Sequence, residues 1–178
     1  MEALARVLAP LAVPRVLLKG AAYIAAAAPL ATGRMLRDVD LMVPAARLAE
    51  VERALVDAGW CADPDLDTYD QRYYRQWMHE LPPMTHIRRR TVLDLHHNIL
   101  PETARMRTEA EPFLARAGPL PTFPRFSVPS PVDLVLHSAT HLFHEGEWEH
   151  GLRDLVDLDA MLREFGESQG FWDDLPAV

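Results

Sequence analysis

Cysteine is nearly absent: Cys61 is the single thiol in 178 residues. One thiol excludes an internal disulfide framework and any zinc site built from several cysteines. Cys61 has no basic neighbour in sequence and is expected to be inert. Positive charge is in deficit, with 18 Lys+Arg against 26 Asp+Glu and a net charge of −8. Nonspecific binding to DNA or RNA needs a basic surface, so that role is disfavoured. The local exception is the run Arg88-Arg89-Arg90. Long apolar runs are missing too; none reaches the roughly 18–20 residues that span a bilayer. The N-terminus has no basic stretch followed by an apolar core, so no secretory signal is expected and the cytoplasm is the expected compartment. Lysine is the last scarcity: Lys19 is the only one, and every other basic side chain is arginine.

What remains is ordinary globular composition, 49% hydrophobic and 25% charged, with length for one domain or one domain and a small appendage. Met1 to Leu8 reads as a short helix stopped by Pro10 and Pro14. Arg15 to Lys19 reads as a buried strand ending at Gly20, and Ala21 to Ala28 as a helix closed by Pro29. Leu30 to Arg34 is read as a loop. Asp38 to Val43 reads as a strand with one wet face. Leu48, Val51, Leu55 and Ala58 make one stripe of a helix over 45–58 that Gly59 stops. Cys61 to Asp70 is expected as a loop, Arg72 to Glu80 as a strand ended by Pro82-Pro83, and Thr91 to His97 as a second strand. The three arginines fall near the turn between them. Glu102 to Ala117 is expected to be helical, with Pro112 as a kink or break. Five prolines between Pro119 and Pro131 suggest a linker, and two helices follow, Val132 to His144 and Glu149 to Phe165. The expected architecture is α/β (α+β): a mixed sheet with flanking helices over 1–120, a linker at 121–131, and a small helical domain over 132–178.

Asp38-Val39-Asp40 is the sharpest feature. On a strand, residues two apart share a face, with Cα atoms about 6.5–7 Å apart. Carboxylates so placed suit a hard divalent cation such as Mg²⁺, which takes one or two carboxylates and substrate phosphates. Alone, the same triplet also suits a solvated strand edge. Asp94, between Leu93 and Leu95 in a later strand, is an expensive place for a carboxylate without a partner. Upstream, Lys19-Gly20 joins a strand to a helix, where backbone N–H groups and an ammonium suit a phosphate. Arg34 and Arg37 are further candidate phosphate ligands, or solvated loop arginines.

This order of strand, glycine turn, helix, Asp-x-Asp strand and later Asp strand resembles the nucleotidyltransferase superfamily of polymerase-β-like fold. Within it, Leu18-Lys19-Gly20, Arg34, Asp38-Val39-Asp40-Leu41-Met42-Val43 and Asp94-Leu95-His96 resemble a group of bacterial uncharacterised nucleotidyltransferases. His137, His141 and Leu152 to Leu158 extend the likeness into the helical part. The resemblance implies a Mg²⁺- or Mn²⁺-dependent enzyme that moves an NMP from an NTP to an acceptor hydroxyl or phosphate. It implies catalytic and metal-binding roles for Asp38, Asp40 and Asp94, and phosphate binding by Lys19, Gly20, Arg34 and Arg37. By the strand period His96 shares the face of Asp94, where it would orient substrate or a metal-bound water, or stand as a hydrogen-bonded core or rim histidine. The acceptor is left open between a protein, an RNA end and a small molecule. Ala21 stands where the superfamily places serine or a second glycine. That departure favours the alternative, a non-catalytic nucleotide-binding or interaction module that retains the fold; the intact aspartates favour transfer.

His137, His141 and His144 fall on one helical face and raise a zinc site as a third reading, though there is no His-Glu-x-x-His and the sequence identifies no third ligand; the alternative is histidines that line the cleft or pack in the core. Trp60, Trp77, Trp148 and Trp172 are read as core, rim or base-stacking residues. Arg153, Asp154, Asp157 and Asp159 are read as a solvated helix face.

Overall fold

A computed structural model of the chain describes residues 1–26, 31, 33, 35–121, 123–145 and 151–177. The apolar runs become strands because their backbones pair. Val16–Leu17 (β1), Asp38–Met42 (β2), Trp60–Ala62 (β3), Met84–His86 (β4), Val92–His96 (β5), Gly118–Pro119 (β6) and Ser127–Val128 (β7) form one mixed sheet. Its order is β3-β4-β5-β2-β1-β7-β6. β2 runs parallel to β5 and antiparallel to β1, so the two aspartate-bearing strands lie side by side at the centre.

The helices are Glu2–Leu8 (α1), Lys19–Ala25 (α2), Leu48–Asp57 (α3), Thr68–Trp77 (α4), Ala110–Arg116 (α5), Pro131–Thr140 (α6), Gly151–Phe165 (α7) and Gln169–Asp174 (α8). Leu17, Leu41, Leu93 and Leu95 point into the larger core, with Leu4 and Leu8 of α1, Val51 and Leu55 of α3, and Leu134 of α6. Val16, Leu18 and Met42 point the other way, onto Ala110 and Phe113 of α5. Strand alternation therefore puts Asp40, Asp94 and His96 on the second face.

α3 ends at Gly59, whose φ of +95 only glycine takes without strain, and where a Cβ would stand 3.2 Å from Ile87 Cγ1. α6 is capped by Ser130, whose hydroxyl accepts from Asp133 N and donates to Asp133 Oδ2. Arg116 of α5 grips the same carboxylate with two bonds, 2.9 and 2.6 Å. That pair ties the helical end to the sheet unit.

Several expectations change. Residues 72–77 are helix, not strand: Asp67 accepts from Asp70 N at 2.8 Å and nucleates α4. The tyrosines and tryptophan that suggested a strand decorate a helix with no buried residue. The expected loop after Cys61 starts as β3, paired to β4. Helix in the 102–117 stretch is confined to α5, where Pro112 is accommodated in the first turn. β2 shows one exposed end and three successive buried residues rather than a wet face, because it is central and covered on both sides. The proline-rich 119–131 stretch carries β6 and β7, and β7 pairs with β1. α8 was not foreseen. Arg34, the end of the 21–28 helix and the start of the 149–165 helix lie outside the described residues.

Candidate functional site

In the parallel pairing of β2 with β5, Asp40 stands opposite Asp94, Asp38 opposite Val92 and Met42 opposite His96. Neighbouring strands are about 4.8 Å apart, so the carboxylates of Asp40 and Asp94 are close neighbours. Asp38 is exposed at the rim, Asp40 is buried and Asp94 half-buried. A cavity of about 670 Å³ opens over all three.

Asp40 Oδ1 receives Lys19 Nζ at 3.1 Å and lies 3.2 Å from His96 Nε2. Burial works against its charge, but the hydrogen bond from His96 and the charge of Lys19 outweigh it. They hold the carboxyl well below the usual carboxylate range. Asp94 goes the other way. Burial, then the charges of Asp40 and Glu80, push its carboxyl up to about 7. Its Oδ1 is buried with no hydrogen-bond partner among the described residues. Two carboxyls in register, one firmly ionised and one poised near neutrality, can bind a cation and accept a proton.

Lys19 begins α2 with φ +46, a left-handed conformation that costs a non-glycine residue energy. The strained backbone delivers the chain's one lysine ammonium to Asp40. The structure thus shows the carboxylate pairing of Lys19. Gly20 and Arg37 border the same cavity. His96 is 1% exposed and lies between Asp40 and Glu80 Oε2, the latter at 3.3 Å.

Among the described residues, His137, His141 and His144 do not form a group close enough to hold a metal. His137 is buried, and burial with the charges of Lys19 and His96 pushes its pKa down to about 3. It packs on Phe113, with ring centres 6.2 Å apart. His141 and His144 border the cavity separately. Among the described residues, the group close enough for a metal is His79, Glu80 and His96. His79 and Glu80 escaped the sequence reading because they closed a stretch taken for a strand. Their signal was two adjacent polar residues between Met78 and Leu81. Asp154 and Asp157, read as solvated, line the cavity, and Asp157 is buried. Trp60 is core, edge-on to His86 at 4.5 Å. Trp77 and Trp172 are exposed, and Trp148 lies outside the described residues.

A family model described as "Uncharacterised nucleotidyltransferase" matches residues 1–177. Two solved structures share the fold, one a solution structure of the antibiotic-resistance factor ANT(2'')-Ia and one a crystal structure of ANT(2'')-Ia in complex with adenylyl-2''-tobramycin. Each is 14% identical with a TM-score of 0.62 and covers 99% of this chain, and this chain covers 86% and 92% of theirs respectively. No curated protein matches the sequence. Among the described residues, no helix is long and apolar enough to cross a membrane.

Proposed function

The chain belongs to the uncharacterised nucleotidyltransferase family, and from that premise we propose that it transfers an NMP from an NTP to a hydroxyl of a small-molecule acceptor. The observation that carries the reading is the register of Asp40 against Asp94 at the floor of an open cavity.

The donor set fits a hard divalent cation. Three carboxylates lie on one face of the paired strands β2 and β5, and a buried Asp94 oxygen is without a hydrogen-bond partner among the described residues. Asp38, Asp40 and Asp94 would hold Mg²⁺ or Mn²⁺. When bound, the ion supplies Lewis-acid stabilisation of charge on the reacting phosphate. Lys19, Gly20 and Arg37 hold the triphosphate at the cavity edge, with Arg34 assigned from sequence alone. Asp94 takes the proton from the acceptor hydroxyl. The acceptor oxygen bonds the α-phosphorus, the bond to the β-phosphate bridging oxygen breaks, and pyrophosphate leaves. His96 holds Asp40 in place.

The cavity also bears on the acceptor. Glu80, Asp154 and Asp157 add negative charge to its lining. A polyanionic RNA end would be repelled there, while a hydroxyl-bearing cation would be drawn in. ANT(2'')-Ia, which shares the fold, has been solved with an adenylylated small molecule. The proposed division is a transfer unit over 1–120, a connection at 121–131 and a helical unit over 132–178 that covers the acceptor.

The test is a screen of the four labelled NTPs with Mg²⁺ or Mn²⁺ against cationic and neutral polyols, reading pyrophosphate release and labelled acceptor. Label transfer to a small cation is expected. Nucleotide binding without release from any acceptor would instead favour the non-catalytic module, as Ala21 after Gly20 suggests.

A further inference from the structure

The turn that joins β4 to β5 carries three arginines in a row, Arg88, Arg89 and Arg90, all exposed. Arg90, at φ +57, closes the turn by donating its N–H to His86 O at 2.8 Å. His86 lies beneath the turn and is 4% exposed, edge-on to Trp60. Met84, two residues before it on β4, belongs to the larger core. Strand alternation therefore puts His86 on the opposite face of the sheet from Asp40 and Asp94. A second cavity, of about 480 Å³, opens here, and His86, Arg88 and Arg89 line it with Asp57 as the one acid.

The His86 ring is surrounded by donors. Nδ1 accepts from the backbone N–H of Arg88 at 3.1 Å and of Arg89 at 3.2 Å. That leaves the ring hydrogen on Nε2. Against Nε2 lies Arg89 Nη1, which has hydrogens to give and no lone pair. Moving the ring hydrogen to Nδ1 would satisfy Nε2 and set Nδ1 against two backbone donors instead. A second ring hydrogen would leave both nitrogens facing donors. Each state calls for an acceptor, and among the described residues no carboxylate pairs with Arg88, Arg89 or Arg90.

We propose that the β4–β5 turn is an oxyanion site, in which His86 Nε2–H and the guanidiniums of Arg88 and Arg89 bind one phosphate group. An oxygen between Nε2–H and Arg89 Nη1 accepts from both and turns two opposed donors into two hydrogen bonds. Three donor groups exceed the two oxygens of a carboxylate and suit a tetrahedral anion. Guanidinium forks match phosphate oxygens in pairs. The arginines are exposed, so inorganic phosphate or the terminal phosphate of a small ester can enter. The site shares no residue with the Asp38, Asp40 and Asp94 set, and the proposal holds whether or not nucleotidyl transfer does.

The test is calorimetric titration of the whole chain with inorganic phosphate and, separately, glycerol phosphate, at constant ionic strength without divalent cations. Lys19→Ala is the background, because it removes the phosphate contact proposed for the other cavity. One equivalent of inorganic phosphate should still bind. Adding Arg89→Gln should weaken it about tenfold or more. Adding Arg90→Asn removes the same charge from outside the lining, with a residue that tolerates positive φ, and should weaken it by less than about threefold. Glycerol phosphate bound with the same dependence on Arg89 extends the site to esters; binding of inorganic phosphate alone confines it to the free anion. No saturable phosphate binding in Lys19→Ala, acetate bound as tightly as phosphate, or an equal loss in Arg89→Gln and Arg90→Asn would overturn the proposal.

Discussion

Asp94 carries the clearest consequence at the residue scale. Its carboxyl is raised to about 7 in the folded chain, against about 3.9 in an unfolded one. The folded state therefore binds the proton more tightly. Its stabilising contribution is complete below about pH 4 and is lost as pH rises toward and through 7. Asp40 is ionised throughout that window, and His137 changes in the opposite sense, so the comparison must be with a variant. Asp94→Asn should match wild type near pH 4.5 and exceed it at pH 8 in metal-free buffer. The gain there is on the order of 2–4 kcal/mol. Thermal melts across that range check it; a difference that does not vary with pH would refute it. Added Mg²⁺ should stabilise wild type and not the variant. Lys19 is the second case. Lys19→Ala should weaken NTP binding by about 1.5–3 kcal/mol, as for a hydrogen bond to a charged group, and Lys19→Arg should restore only part, since a planar fork replaces a point charge. Equal affinity in wild type and Lys19→Ala, with a lowered melting temperature, would confine the ammonium to neutralising Asp40.

Elements differ in how far local sequence decides them. α3 was legible because Val51 and Leu55 sit on one stripe and both are buried. β2 and β5 were legible as strands, and their pairing in register put together aspartates 54 positions apart in number (94 − 40). α4 was not legible. Its aromatics have strand propensity, whereas the Asp67 cap and the Arg72–Gln76 and Tyr69–Tyr73 pairs one turn apart favour the helix. β6 and β7 were hidden because two-residue strands among prolines leave no periodicity; β7 exists through pairing with β1, and β6 through pairing with β7. The joint between α5 and α6 also depends on a long-range pair. Asp133 is 2% exposed, and Arg116 is the charged partner at its carboxylate. Arg116→Ala leaves that carboxylate with Ser130 alone and should cost about 2–4 kcal/mol. Urea unfolding measures it, and a loss under about 0.5 kcal/mol would place the pair with exposed salt bridges.

At the scale of the whole molecule, the negative balance and the acidic cavity act together. A net charge of −8 disfavours polyanions, and on the proposed reading the cavity takes a triphosphate through Lys19, Arg37 and a cation that the carboxylates would hold. That Asp38 and Asp40 share a face was legible in the sequence because the strand period of two forces it; Asp94 joins them through the register of β5 against β2. His79 and Glu80 were not, because an isolated bridge brings them to His96. Asp157 was not, because only the packing of α7 turns it inward. The central claim is that Asp40 and Asp94 together carry nucleotidyl transfer. Its most direct test is the rate of pyrophosphate release from an α-labelled NTP, with Mn²⁺ and an accepted polyol, in wild type and Asp94→Asn. Loss of the proton acceptor should slow release by about 10²–10⁴-fold, with NTP still bound. An unchanged rate in Asp94→Asn would contradict it.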